Sequence, residues 1–329
     1  MLANSMNSPR YAHTASIITN DTILITGGAN AGTYLDTAEL YNVSTGTWSF
    51  VSNMITARHY HTATVLANGN VFVVGGTWSI PALKKVELYN PITNTWTAVP
   101  DMISMRYGHT ASLLPNGNIL IAGGSNTSVL QSAELYNQTS SSWTLISNMN
   151  SIRYFHTATT LLNGKILIAG GGDQATNPIN NAELYDPTTS TWTVIPNMIV
   201  PRLFHTASLL SNGNVLIAGG VGTAGISAEL YDPIANTWTL TGNLKMPRQQ
   251  HTATVLTDGR VLVAGVYDGS VAIGTSELYD PSTGVWIFTY NMSNPRLIHT
   301  ASLLSNGKVL AVGGRINALS SNSVEIYHP

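Results

Sequence analysis

The amino-acid sequence predicts an all-β, seven-bladed propeller, and three observations carry that expectation. One unit recurs seven times along the 329 residues, with His-Thr pairs beginning at His13, His61, His109, His156, His205, His251 and His299. The period is therefore 46 to 49 residues, a spacing at which each copy is one supersecondary unit that buries its apolar faces against its neighbours. Each copy also holds four short apolar or alternating runs parted by turn signals, and no run has a helical period.

The third copy shows the layout. After Arg106, the run His109-Thr110-Ala111-Ser112-Leu113-Leu114 reads as the innermost strand, and Asn116-Gly117 as a two-residue hairpin turn with both residues at positive φ. Ile119-Leu120-Ile121-Ala122 is apolar on both faces, as a strand sandwiched between neighbouring blades must be. Gly123-Gly124 ends it where backbones approach closely. A variable loop leads to Glu134-Leu135-Tyr136 as the third strand, and a polar turn leads to Trp143 in the outermost strand. Elsewhere that turn is Asp-Pro, as at Asp186-Pro187 and Asp232-Pro233, where proline presets φ for the bend.

The double glycine, the Glu-Leu-Tyr and the Trp recur together, and in this the copies resemble kelch repeats over essentially the whole chain. The resemblance implies a single kelch propeller spanning residues 1–329, built from four-stranded antiparallel blades. Two departures carry further expectations. Blade six has Gly265-Val266 in place of two glycines, so its loop must leave the strand differently. Blade seven ends at Ile326-Tyr327-His328-Pro329 without a Trp strand, and aligning on the repeat Arg puts Met1 to Met6 in the register of that missing strand. The N-terminal segment is thus expected to close blade seven and to leave no open seam. The end on a repeat boundary suggests a portion of something longer.

Composition narrows the partners. Only 9% of residues are charged and the net charge is −2, so there is no basic field to attract nucleic acid or a membrane surface. No spanning segment or signal peptide is visible, and a monomer is expected. The absence of cysteine excludes disulfides, thiol catalysis and cysteine metal sites. Five Asn-x-Ser/Thr sequons, at Asn20, Asn42, Asn126, Asn137 and Asn291, are no more than a chain so rich in Asn, Ser and Thr produces by chance. The compartment stays open, with an extracellular or cell-surface setting the one that suits a recognition propeller.

The charges that do recur are seven arginines (Arg10, Arg58, Arg106, Arg153, Arg202, Arg248, Arg296) and seven glutamates (Glu39, Glu87, Glu134, Glu183, Glu229, Glu277, Glu325). Equal numbers at fixed places in every copy point to structural pairs, because a carboxylate among apolar strands needs a counter-charge and hydrogen bonds. The seven histidines are read in the same way, as side chains bonding neighbouring backbone. Seven equivalent imidazoles around a channel are too many and too dispersed for a metal site, which takes three or four at close range. No metal and no cofactor is expected.

Function is sought where the copies differ. Strands alternate direction, so the loops after Gly-Gly and the two residues between Arg and His lie on one face. Those two residues supply Tyr11, His59, Tyr60, Tyr107, Tyr154, Phe155 and Phe204, then Gln249 and Gln250. In kelch domains that bind peptides the corresponding residues stand at the channel mouth, and the resemblance implies that location here. Aromatic rings beside amides suit a sugar or an uncharged peptide. The loops add Tyr34, Asp36, Lys84, Lys85, Asp173, Gln174, Tyr267, Asp268, Arg315 and Trp78, the one tryptophan outside the repeat pattern. A non-catalytic recognition propeller for a peptide segment or glycan is the leading reading. The alternatives are an enzyme with a site on the loop face and a purely structural scaffold. The repeat style is similar to the galactose oxidase propeller, but the cysteine–tyrosine cofactor of such copper-radical oxidases has no cysteine here to form from.

Overall fold

Seven four-stranded antiparallel sheets follow one another around a ring in the computed structural model, which describes residues 2–19, 21–79, 81–267 and 272–329, without the side chains of Val266 and Tyr267. Blade three is representative, with strands Thr110–Leu113, Ile119–Ala122, Ala133–Asn137 and Ser142–Leu145. Its pairings include Thr110 with Ala122 and Tyr136 with Trp143. The second strand is buried along its whole length and the outermost is largely exposed. That gradient is why the first reads as a continuous apolar run and the last as Thr/Ser-rich. Among the described residues the one helix is a single 3-10 turn, Gly222–Ala224.

One hairpin differs from the sequence-based expectation, and the departure expected of blade six is seen. In the Asn-Gly turn, Leu114 donates its N–H to the Asn118 carbonyl, Gly117 donates to the Leu114 carbonyl, and only Gly117 has positive φ (82°). This is a three-residue loop with glycine at the left-handed position, and Asn116 instead accepts the Asn118 N–H through Oδ1. In blade six the second strand runs on to Tyr267 and pairs with Ala272–Asp280 across a register shift between Ala264 and Val266. Without a second glycine the chain does leave this strand differently from the other blades, and it does so by continuing as strand.

Interfaces between blades are filled by side chains of fixed type. From Tyr41–Trp48 to Tyr279–Trp286, six Tyr–Trp pairs have ring centroids 4.8–5.0 Å apart. Five of the indoles, Trp48, Trp96, Trp143, Trp192 and Trp238, donate Nε1–H at 2.7–2.8 Å to a carbonyl of the crossover entering their own blade. A buried apolar side chain follows two residues after each of those acceptors: Met6, Met54, Met102, Met149 and Met198. This methionine register is a repeat feature that the sequence reading passed over.

The seven Arg–Glu pairs close at 2.5–2.9 Å with both partners nearly or fully buried. Each glutamate also accepts two backbone N–H groups from the crossover, Ile103 and Ser104 for Glu134. Each arginine donates to the carbonyl of its own blade's first glycine, Arg106 to Gly123 at 2.6 Å. The arginine's own carbonyl reaches back to the preceding blade, where Gly76 donates to Arg106 at 2.9 Å. A Cβ on Gly75 would stand 2.6 Å from that same Arg106 oxygen, so the first glycine of the pair is required by close approach and not by the turn alone.

The ring closes through the N-terminus. Leu2–Ala3 is the outermost strand of blade seven, with Leu2 opposite Glu325 and Ala3 opposite Val324. Met6 N–H donates to Asn322, Arg10 N–H to Ser321, and Gly314 N–H to the Arg10 carbonyl.

Two outcomes test this. Glu134→Gln and Glu229→Gln should each lower unfolding free energy by about 3–5 kcal/mol in denaturant titration, since each leaves a buried guanidinium without its counter-charge. Removing residues 1–6 should lower the thermal midpoint by baring the blade-seven edge. An unchanged midpoint would show that the closure is dispensable.

Candidate functional site

The two residues between Arg and His have different fates. The second of each pair takes the left-handed conformation in all seven blades: Ala12, Tyr60, Gly108, Phe155, Phe204, Gln250 and Ile298 have φ between 49° and 60°. Bulky and β-branched residues rarely adopt it. Six of the seven donate in a head-to-tail run of backbone hydrogen bonds around the channel: Ala12 donates to Ile298, Tyr60 to Ala12, Gly108 to Tyr60, Phe155 to Gly108, Gln250 to Phe204, and Ile298 to Gln250. The side chains are thereby turned to the axis.

All but Gly108 line a cavity of about 300 Å³ together with His13, His61, His156, His205, His251 and His299. Phe155 joins its aromatic rings, with ring centroids 4.7 Å from Phe204, 5.1 Å from Tyr60 and 6.1 Å from Tyr107. Gly108 makes this possible, because a Cβ there would stand 3.0 Å from the Phe155 ring. Burial pushes the Tyr60 phenol up to about 12, with Tyr11 adding to the shift, so it remains a neutral hydrogen-bonding group.

The histidines reach a side chain of the neighbouring blade, a partner that the sequence reading did not name. Each gives Nε2 to the threonine hydroxyl of the preceding blade at 2.9–3.0 Å, from His61 with Thr14 around to His13 with Thr300. The threonine of one His-Thr pair thus receives the histidine of the next. Burial first and the nearby arginines second hold His13, His109, His205 and His251 down to about 3. The same causes push His61, His156 and His299 well down. All seven are neutral. Among the described residues, no three His, Cys, Asp or Glu side chains are grouped so as to hold a metal ion.

The first residue of each pair faces outward to the loops. Tyr11 bridges Ala29 and lies under the Arg315 guanidinium, 5.0 Å from its ring. His59 stacks on Tyr34 at 4.7 Å and its Nδ1–H donates to the Thr77 carbonyl at 2.7 Å. Tyr154 packs over Gly172, where a Cβ would be 2.6 Å from its ring. Tyr107 and Gln249 are half-buried. Tyr60, Phe155, Phe204 and Gln250 therefore meet in the bowl, while Tyr11, His59, Tyr107, Tyr154 and Gln249 form a tier behind it. Trp78 is half exposed and belongs to neither. Lys85 pairs with Asp101 at 3.0 Å and Lys84 stands 3.9 Å from it. Asp173 accepts Ala175 and Asn177 N–H within its own turn, and Gln174 accepts the Val129 N–H across blades. The Tyr267 side chain, Asp268 and the Asn20 sequon lie outside the described residues. Sequence reasoning missed the histidine floor and Ala12 and Ile298. The signal was the position after which His-Thr always follows, which marks the inward-facing residue.

A seven-bladed propeller with an aromatic bowl at one end of its channel is the class that fold and site define. The chain belongs to the kelch-repeat β-propeller family. A family model for the Attractin/LZTR1 beta-propeller matches residues 2–183, and one for the KLHDC2/KLHL20/DRC7 Kelch-repeats domain matches residues 108–314. No curated protein matches the chain in sequence. Among solved structures, a fungal alcohol oxidase of the AA5 family in complex with copper is similar with a TM-score of 0.80 and 18% identity, over 100% of this chain and 76% of that one. At that identity the likeness is one of fold. Propellers of the kelch type commonly bind proteins, and among the described residues no helix is long and apolar enough to cross a membrane.

The histidine ring predicts acid sensitivity. A folded-state value of about 3 against about 6.5 in the unfolded chain means that the unfolded state takes up protons first as pH falls. Stability should be flat above pH ~7 and drop below ~6.5, with a limiting slope of about 1.4 kcal/mol per pH unit for each histidine. Denaturant titrations between pH 7 and 4 would show it. A shallower slope in His109→Gln would assign it.

Proposed function

We propose that the chain is a non-catalytic recognition propeller that takes a peptide segment or glycan on the loop face around its channel. The observation that carries this reading is the convergence of Tyr60, Phe155, Phe204 and Gln250 on one cavity of about 300 Å³, backed by Tyr107 and Tyr154. Aromatic faces stack on sugar rings or apolar side chains, and an amide bonds their polar edges. The seven repeat arginines are fully buried and paired, so they offer nothing to an acidic ligand. What charge the face holds is peripheral, at Arg315 over Tyr11 and at the Lys84–Lys85–Asp101 cluster.

Glycan-array and peptide-library screening should therefore return an uncharged ligand whose affinity changes little with ionic strength. Alanine at Tyr107, Tyr154 or Phe155 should weaken it by about 1–3 kcal/mol each, whereas Asn116→Ala and Asn212→Ala, at turns on the opposite face, should leave it unaltered. A ligand that survives the aromatic changes and is lost with salt would contradict the reading.

A further inference from the structure

The bowl suits one kind of occupant, because nearly every polar group around it is already engaged. All seven histidine Nε2 atoms are held by threonine hydroxyls of the preceding blade at 2.9–3.0 Å, and the opposite ring nitrogens, Nδ1, are buried from solvent. The floor has no ring nitrogen to spare for a ligand. On the wall, six of the seven backbone N–H groups donate to the neighbouring blade, and the one that does not is that of Phe204. Among the described residues that line the cavity, two side chains keep polar atoms without a partner, the Tyr60 phenol and the Gln250 amide.

The bowl also carries no charge to match a charged ligand. Its histidines are held neutral by burial, and the repeat arginines behind them are fully buried. The remaining wall is Ala12, Phe155, Phe204 and Ile298. A sugar ring fits this inventory poorly, since a pyranose carries a hydroxyl on most of its ring carbons and each one buried without a partner weakens binding about tenfold. Two free side chains cannot meet them all. An apolar side chain asks for no hydrogen bond, and the main-chain amide beside it offers one donor and one acceptor, which a glutamine amide can answer in kind. A dry cavity of ~150 Å³ admits one benzene ring, so about 300 Å³ holds one large side chain with its adjoining amide.

On the reading that the loop face recognises a ligand, we infer that the bowl is the anchor pocket for one uncharged apolar side chain, aromatic or leucine-like, of a peptide segment whose main-chain amide pairs with Gln250. The bowl thus selects a peptide over a glycan. One such buried anchor is enough to dominate the affinity of a short segment.

Ligand-observed NMR titration with N-acetyl amino-acid amides and methyl glycosides tests it. The phenylalanine, tryptophan and leucine amides should saturate one site, whereas the glycine, aspartate and lysine amides and the methyl glycosides of glucose, galactose and mannose should bind more weakly by about tenfold or more. Ala12→Phe, which fills the bowl, should abolish binding. Its backbone suits a large residue, since Tyr60, Phe155 and Phe204 take the same left-handed conformation in other blades, and Ile298→Trp fills the bowl from blade seven should the first variant fail to fold. Gln250→Leu, which keeps the volume and removes the amide, should weaken the phenylalanine amide about tenfold and leave toluene, the ring alone, unaffected. Saturable binding of a glycoside in preference to the apolar amides would overturn this inference and leave the recognition reading standing, whereas no saturable binding of any probe would overturn both. Apolar amides that still bind the folded filling variants, or that lose nothing in Gln250→Leu, would overturn the inference alone.

Discussion

The buried Arg–Glu pair is the interaction on which the rest of this ring depends. It brings together three chain segments: the crossover entering a blade, the third strand of that blade, and the Gly-Gly turn of the blade before. For Arg106 these are Glu134 with the Ile103 and Ser104 amides, the Gly123 carbonyl, and Gly76 N–H on the preceding blade. A lone buried charge would be strongly unfavourable, but each carboxylate here is met by a guanidinium and two backbone donors, so desolvation is offset by full hydrogen bonding. Burial pulls each guanidinium down from its usual value while the glutamate's charge opposes the shift, as expected of a pair held charged inside the fold.

From that clamp the functional surface follows. Fixing the arginine fixes the two residues after it, and the threonine–histidine ring fixes what comes next, so the intervening residue of every blade is driven into the left-handed region. The bowl is thus a by-product of ring construction whose walls are free to vary. Its chemistry is set by six side chains, of which Tyr60, Phe155 and Phe204 are aromatic, and Gly108 is the gap into which Phe155 leans.

The blade count, the strand order and the closure of blade seven were legible because period, alternation and turn residues all carry local physical signals. The departure of blade six was legible from one residue, Val266, standing where a glycine was required. The turn at Asn116-Gly117 was misjudged because an Asn-Gly pair serves both two- and three-residue loops, and only the pairing of Leu114 with Asn118 separates them. The division of the aromatic arc into bowl and backing tier was not legible, since adjacent residues in an irregular segment have no fixed periodicity. Nor was the His-to-Thr ring, where the partner of each histidine is 45 to 48 residues away in sequence for all but the closing pair.

The central claim is that shared charges build the ring as a coupled unit. A double-mutant cycle on Arg153 and Glu183, replaced singly and together by leucine and followed by denaturant unfolding, tests it most directly. The account predicts that the double variant is no less stable than either single one, so that the two changes are strongly non-additive. Additive losses would contradict it, and would show that the pair is two independent residues that happen to lie side by side.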